Sequence, residues 1–280
     1  MRIGCGTVAF RTLPLKDALN RIKKAGYKYV ETQATGPFCP HVDVDRDDPK
    51  KFKKLIEYFG FEGVTALWST HGAIIPDELS LEYVDKCIRW AKEANIPVVN
   101  IGDGMKPEDM SEDEAWEILE ERLIKILNTA EENETYLAIE PHGTFSLTSE
   151  GLERIMCISK SKWLGINYDT ANIHRAVYVE TKDGTYMRKL AGEKKDEVTI
   201  LKEIVKRVVH VHVKDVKGTE CVALGTGEVN IKGCLRVLKE AGYKGVISLE
   251  SEGDEGEEAT QKLIEDSRKY LINTLRNLEK

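Results

Sequence analysis

A chain of 280 residues whose 41 basic and 48 acidic side chains leave a net charge of −7 has no basic cluster interleaved with aromatics. That argues against a nucleic-acid partner and for a small-molecule one. No apolar run approaches the ~20 residues of a membrane span, and no basic segment leads into an apolar one after Met1, so a cytoplasmic protein with no membrane partner is expected.

The first strand pattern runs from Arg2 to Thr7. Leu15, Ala18, Leu19 and Ile22 follow at helical spacing, closed by Gly26 as a C-cap. Strand patterns at 29–32, 64–69 and 98–102 alternate with helical ones at 52–58 and 83–94. The fourth helix opens at Ser111 with Glu114 three residues on, a capping box. Strands at 136–142, 164–170, 208–215 and from Gly245 then alternate with helices at 150–159, 198–206, from Ile231 and from Glu257. Lys24-Ala25-Gly26-Tyr27-Lys28 recurs as Glu240-Ala241-Gly242-Tyr243-Lys244, each before a strand that ends on glutamate.

Eight strand and eight helix patterns in alternation predict an α/β protein, a single (β/α)8 TIM barrel over residues 1–280. An open doubly wound sheet fits less well, because no Gly-x-Gly-x-x-Gly follows the first strand. One connection is out of scale. The charged stretch from about 176 to 197, between the sixth strand and the sixth helix, is a lid or contact candidate. The six cysteines lack Cys-x-x-Cys spacing, so reduced thiols are expected rather than a disulfide or thiolate metal site.

Four late strand patterns each end on a metal-capable side chain: Glu140, Asp169, His212 and Glu250. Period-2 alternation sets these opposite the large apolar residues, so in a closed barrel they converge on the mouth. Three carboxylates crowded there would repel unless a cation compensates. Oxygen-rich ligation with one imidazole suits a single divalent metal, Mn2+, Mg2+ or Co2+ better than Zn2+, which affinity order leaves open; Mn2+ is the expected ion. His142 and Lys214 share parity with Glu140 and His212 and are expected substrate contacts. Glu31, His71 and Asp103 end earlier strand patterns and could bind hydroxyls. Gly225-Thr226-Gly227 lacks the rest of a P-loop and reads as a tight turn.

Glu140-Pro141-His142, Tyr168-Asp169-Thr170-Ala171-Asn172, His210-Val211-His212-Val213-Lys214-Asp215, Leu224-Gly225-Thr226-Gly227 and Ser248-Leu249-Glu250 together resemble the xylose isomerase-like TIM-barrel superfamily, in particular its sugar phosphate isomerase/epimerase branch. The resemblance implies one divalent metal on Glu140, Asp169, His212 and Glu250. It also implies Glu140 and Glu250 as the acid and base of a ketose 3-epimerase-like reaction. The expected activity is isomerisation or epimerisation of a keto-sugar or sugar phosphate through a metal-stabilised enediolate. Where many ketose epimerases carry a substrate-gripping histidine and arginine, this chain has Asn172 and Gly218, which points to a shared catalytic shell with a different substrate. Asn172 is accordingly an expected substrate contact. A lyase resembling inosose dehydratase is the alternative. An endonuclease IV-like reading needs additional histidines, and Asn172 and Asp103 stand where two of them belong. A catalytically silent sugar-binding barrel leaves the glutamate pair unexplained. A homodimer through the mouth loops is the candidate assembly.

Overall fold

The computed structural model describes residues 1–69, 74–175, 195–252 and 256–278. Eight parallel strands close into one barrel: β1 (Arg2–Gly6), β2 (Tyr29–Gln33), β3 (Gly63–Trp68), β4 (Val98–Gly104), β5 (Tyr136–Gly143), β6 (Leu164–Asp169), β7 (Val208–Val213) and β10 (Val246–Leu249). Closure pairs β1 with β10, Arg2 opposite Val246 and Cys5 opposite Leu249. A two-stranded antiparallel hairpin, β8 (Asp215–Lys217) and β9 (Glu220–Val222), follows β7. Among the described residues the α-helices are α1 (Leu15–Lys24), α2 (Pro49–Tyr58), α3 (Leu79–Ala94), α4 (Glu112–Glu132), α5 (Ser149–Cys157), α6 (Thr170–His174), α7 (Glu197–Ile204), α8 (Ile231–Glu240) and α9 (Glu257–Leu278).

The repeated Ala-Gly-Tyr segments are helix stops. Gly26 (φ 88°) and Gly242 (φ 75°) adopt the left-handed backbone that a side chain would penalise. Their N–H groups bond Lys23 and Lys239, and the following tyrosines bond Ile22 and Leu238, the paired bonds of a Schellman motif. At the other end of a helix, Ser111 accepts from the Glu114 N–H at the start of α4, as the capping-box spacing predicts.

Alternation along the strands sorts the two layers. Leu137, Ile139, Ile166, Tyr168, Val211, Val213, Ile247 and Leu249 belong to the large core shared with the helices. Ala66, Val98 and Ala138 form a separate small cluster flanked by Tyr136 and Val209. The alternation is not strict. Register slips between Ile166 and Asn167 against β7, so Asn167 pairs with His210 rather than Val209.

Three local features depart from the sequence reading. The seventh strand ends at Val213, and the hairpin takes up the residues after it. Asp169 ends β6 and caps α6 by accepting from the Asn172 N–H at 2.7 Å. The Gly225–Gly227 segment is more than a tight turn: Asp215 accepts from the backbone N–H groups of Val216, Gly225, Gly227 and Val229 at 2.8 to 3.1 Å. The Gly225–Gly227 turn is therefore a cradle whose anion is the chain's own carboxylate. A Cβ on Gly227 would lie 2.3 Å from Asp215 Oδ1. Most of the predicted 176–197 insert lies outside the described residues. The six cysteines are free.

Candidate metal centre

The strand ends bring Glu140, Asp169, His212 and Glu250 together. One ligand atom from each lies within 4.8 Å of all the others. Register explains this: Asp169 pairs with His212, His212 with Ser248, and the Glu250 N–H bonds Val213 O just past the end of β10. His212 Nδ1 faces Glu140 Oε2 at 3.1 Å, Glu250 Oε1 at 3.6 Å and Asp169 Oδ2 at 3.9 Å. Glu140, Asp169 and His212 are buried, and the Glu250 side chain is 12 % exposed.

Electrostatics favour a cation here. Burial pushes the Glu140 and Asp169 carboxyls above their ordinary range, against the pull of His212 and Lys214. Burial opposes the His212 charge, but Glu31, Glu250 and Glu140 outweigh it and hold the imidazole pKa well above normal. Among the described residues Asp169 Oδ2 is buried without a hydrogen-bond partner, a costly state for a carboxylate oxygen. A divalent ion suits that donor set, since it gives the orphaned oxygen a partner and replaces the compensating proton.

Behind the cluster lies a buried polar layer. Glu31 Oε1 accepts from His212 Nε2 at 2.8 Å and from Asn100 Nδ2 at 3.0 Å, which fixes the ring with Nδ1 toward the acids. Burial works against Glu31 ionising, yet His212 and His210 bring its pKa down to about 2. Asn167 Nδ2 donates to Glu140 Oε2 at 2.7 Å, and its carbonyl faces His210 Nδ1 at 2.9 Å. His210 also meets Thr65 Oγ1 at 3.2 Å, and burial lowers its pKa to about 4. His210 is thus a neutral buried residue, in keeping with its depth in the barrel. Glu31, His210 and His212 form a second group of metal-capable atoms, but the short Glu31–His212 bond accounts for that proximity.

The residues expected to touch substrate divide. His142 is half-buried at the end of β5, its ring 5.8 Å from that of Trp68. Asn172 donates from Nδ2 to Glu140 Oε1 at 3.0 Å, so it braces a cluster carboxylate. Glu31 sits below the cluster on His212. Lys214 Nζ lies 2.7 Å from Glu250 Oε2, 3.0 Å from Glu252 Oε1 and 3.8 Å from Asp169 Oδ2. Burial disfavours its charge, and those three carboxylates more than restore it. Asp103 accepts from the N–H groups of Phe145 and Ser146 and from Ser146 Oγ, so it shapes the loop after β5. His71 lies outside the described residues. Asn167 and Asn100 were not anticipated; their inward parity, two residues before Asp169 and Gly102, was the available signal. A separate cleft of about 610 Å3 lies among Ala34, Thr35, Ser69 and Tyr83, and none of the four cluster residues lines it.

The chain belongs to the Xylose isomerase-like TIM barrel family, whose model matches residues 19–274. An uncharacterized protein of Methanocaldococcus jannaschii is 30 % identical over 183 residues, 62 % of this chain and 57 % of that one. Inosose dehydratase of Clostridium botulinum (strain Eklund 17B / Type B) is 26 % identical over 162 residues, 51 % of this chain and 49 % of the enzyme. The chain thus spans about half the length of these two curated relatives. The crystal structure of a D-tagatose 3-epimerase-like protein shares the fold at a TM-score of 0.79 and 22 % identity, covering 100 % of this chain and 98 % of that one. Among the described residues no helix is long and apolar enough to cross a membrane.

Proposed function

We propose that the chain is a divalent-metal-dependent sugar isomerase or epimerase that moves a proton next to the carbonyl of a keto-sugar or sugar phosphate. The observation that carries this reading is the convergence of Glu140, Asp169, His212 and Glu250 at the C-terminal end of a closed barrel, the end at which such barrels place their chemistry. A divalent cation held by these four residues, Mn2+ in the first instance, supplies Lewis-acid polarisation of a carbonyl oxygen.

The chain's own groups do the rest. Glu140 and Glu250 are the proton-transfer pair, on strands separated by β6 and β7 around the ring. Glu250 works through Oε1, the oxygen that Lys214 does not hold. Glu140 is braced on both oxygens by Asn167 and Asn172, so its position is fixed before substrate arrives. Groups positioned in this way contribute ~10²- to 10⁴-fold. His142 contacts the sugar. A cytoplasmic setting and a homodimer through the mouth loops belong to the same reading, and light scattering tests the latter.

A dehydratase is the second reading, favoured by the relatives named inosose dehydratase. There the same proton abstraction precedes expulsion of a neighbouring hydroxyl as water. Incubation with Mn2+ and a panel of keto-sugars and their phosphates in deuterated water tests both. Isomerisation or epimerisation incorporates solvent deuterium into a product of otherwise unchanged composition, whereas dehydration removes one water. Exchange on no member of the panel contradicts the proposal.

A further inference from the structure

Among the described residues one ammonium group touches the cluster. Lys214, 4 % exposed, is covalently fixed on the chain two residues past His212 and is bonded by Glu250 and Glu252, with Asp169 Oδ2 at 3.8 Å. Two of its three N–H directions are taken by carboxylates, and the third faces a further acid. That leaves little of it to anchor a substrate phosphate. A buried ammonium is costly unless paired, so the acids around it and its own charge depend on one another.

We propose that Lys214 is a built-in counter-cation that sets the affinity of the cluster for its divalent ion. The proposal rests on the metal reading above. With no ion bound, the ammonium holds Glu250 and Asp169 close together against their mutual repulsion. When an ion binds, the tethered ammonium cannot leave. Two cations then share the same carboxylates at short range in a buried site, where charge interactions are poorly screened. The cost falls on the ion, so the lysine keeps binding weaker than the four ligands alone would make it. Glu252, whose side chain is 41 % exposed, draws part of the ammonium's charge outward and moderates this effect.

Titrating the metal-stripped protein with Mn2+ by calorimetry tests the idea without any substrate. Lys214→Met is expected to bind Mn2+ at least about tenfold more tightly than wild type while its metal-free form melts earlier. Lys214→Arg, which keeps the charge, is expected to stay within about threefold. Glu252→Gln removes the outward carboxylate, leaves Lys214 directed at Glu250 and Asp169, and is expected to weaken binding by about threefold or more. Unchanged or weaker Mn2+ binding by Lys214→Met makes the lysine an ordinary prop and overturns the proposal. Should that variant not fold, unchanged or tighter binding by Glu252→Gln overturns it instead. A wild-type protein that takes up no Mn2+, Co2+ or Zn2+ overturns the metal reading itself, and this inference with it.

Discussion

Glu31→Gln separates charge from shape at the base of the site. Both donors to Glu31, His212 Nε2 and Asn100 Nδ2, converge on Oε1, so a glutamine can keep its carbonyl oxygen there. Its amide then replaces Oε2, which lacks a hydrogen-bond partner among the described residues and lies 3.7 Å from His210 Nε2. Because His210 is neutral and its Nδ1 is engaged by Asn167, Nε2 can accept from that amide in place of the Thr65 hydroxyl at 3.2 Å, which also reaches Val30 O. The packing survives, and the change is the loss of one buried negative charge behind the imidazole. A hydrogen bond to a charged acceptor contributes ~1.5–3 kcal/mol against ~1 for a neutral one, and losing such a partner to a metal-bound histidine costs ~10- to 100-fold in affinity. Mn2+ affinity should therefore fall by about tenfold or more, and the metal-free protein should melt earlier because the buried imidazolium loses its charged partner. Titration of the variant with Mn2+, beside a urea melt, gives both numbers. Binding within about threefold of wild type would refute the argument that Glu31 tunes the ligand histidine.

Three more outcomes follow from the geometry. Removing the Asn172 amide by Asn172→Ala frees Glu140 Oε1, and proton exchange into substrate should drop by about tenfold or more with a smaller change in Mn2+ affinity; an equal loss in both would contradict a positioning role. The His212 pKa is raised in the metal-free site, and a bound ion needs that nitrogen deprotonated. Ion uptake must therefore release a proton, and apparent affinity should keep rising with pH through and beyond the ordinary imidazole range, as titration in buffers of different ionisation enthalpy will record; a flat profile argues against His212 as a ligand. Asp215→Ala leaves four backbone N–H groups without their acceptor and should cost about 3 kcal/mol or more by urea unfolding, an effect of less than about 1 kcal/mol being evidence against the cradle.

The barrel was legible because strand and helix periods alternate so regularly. The four cluster residues were legible because each ends a strand whose greasy face is unmistakable. What lay behind them was not. Glu31 shares inward parity with the ligands, and nothing in its neighbourhood says that its partner is His212, 181 residues away. Asn167 and Asn100 look like isolated polar residues in apolar strands until the ring closes and brings Glu140 and Glu31 within reach. Lys214 read as a substrate contact because the acids that hold it come from elsewhere, Asp169 from the end of β6 and Glu250 and Glu252 from just past β10. The register slip at Asn167 breaks strict alternation through a pairing between strands, which a single strand's pattern does not encode. The hairpin after β7 depends on Asp215 gripping a turn ten residues on, a contact with no periodic signature.

The most direct test is to grow crystals of the metal-stripped protein, soak them in Mn2+ and map the anomalous signal. The account predicts one ion per chain bonded to Glu140, Asp169 through Oδ2, His212 through Nδ1 and Glu250, and no ion at that position in Asp169→Ala. An ion bound elsewhere, or no ion among these four side chains at saturating Mn2+, would contradict it.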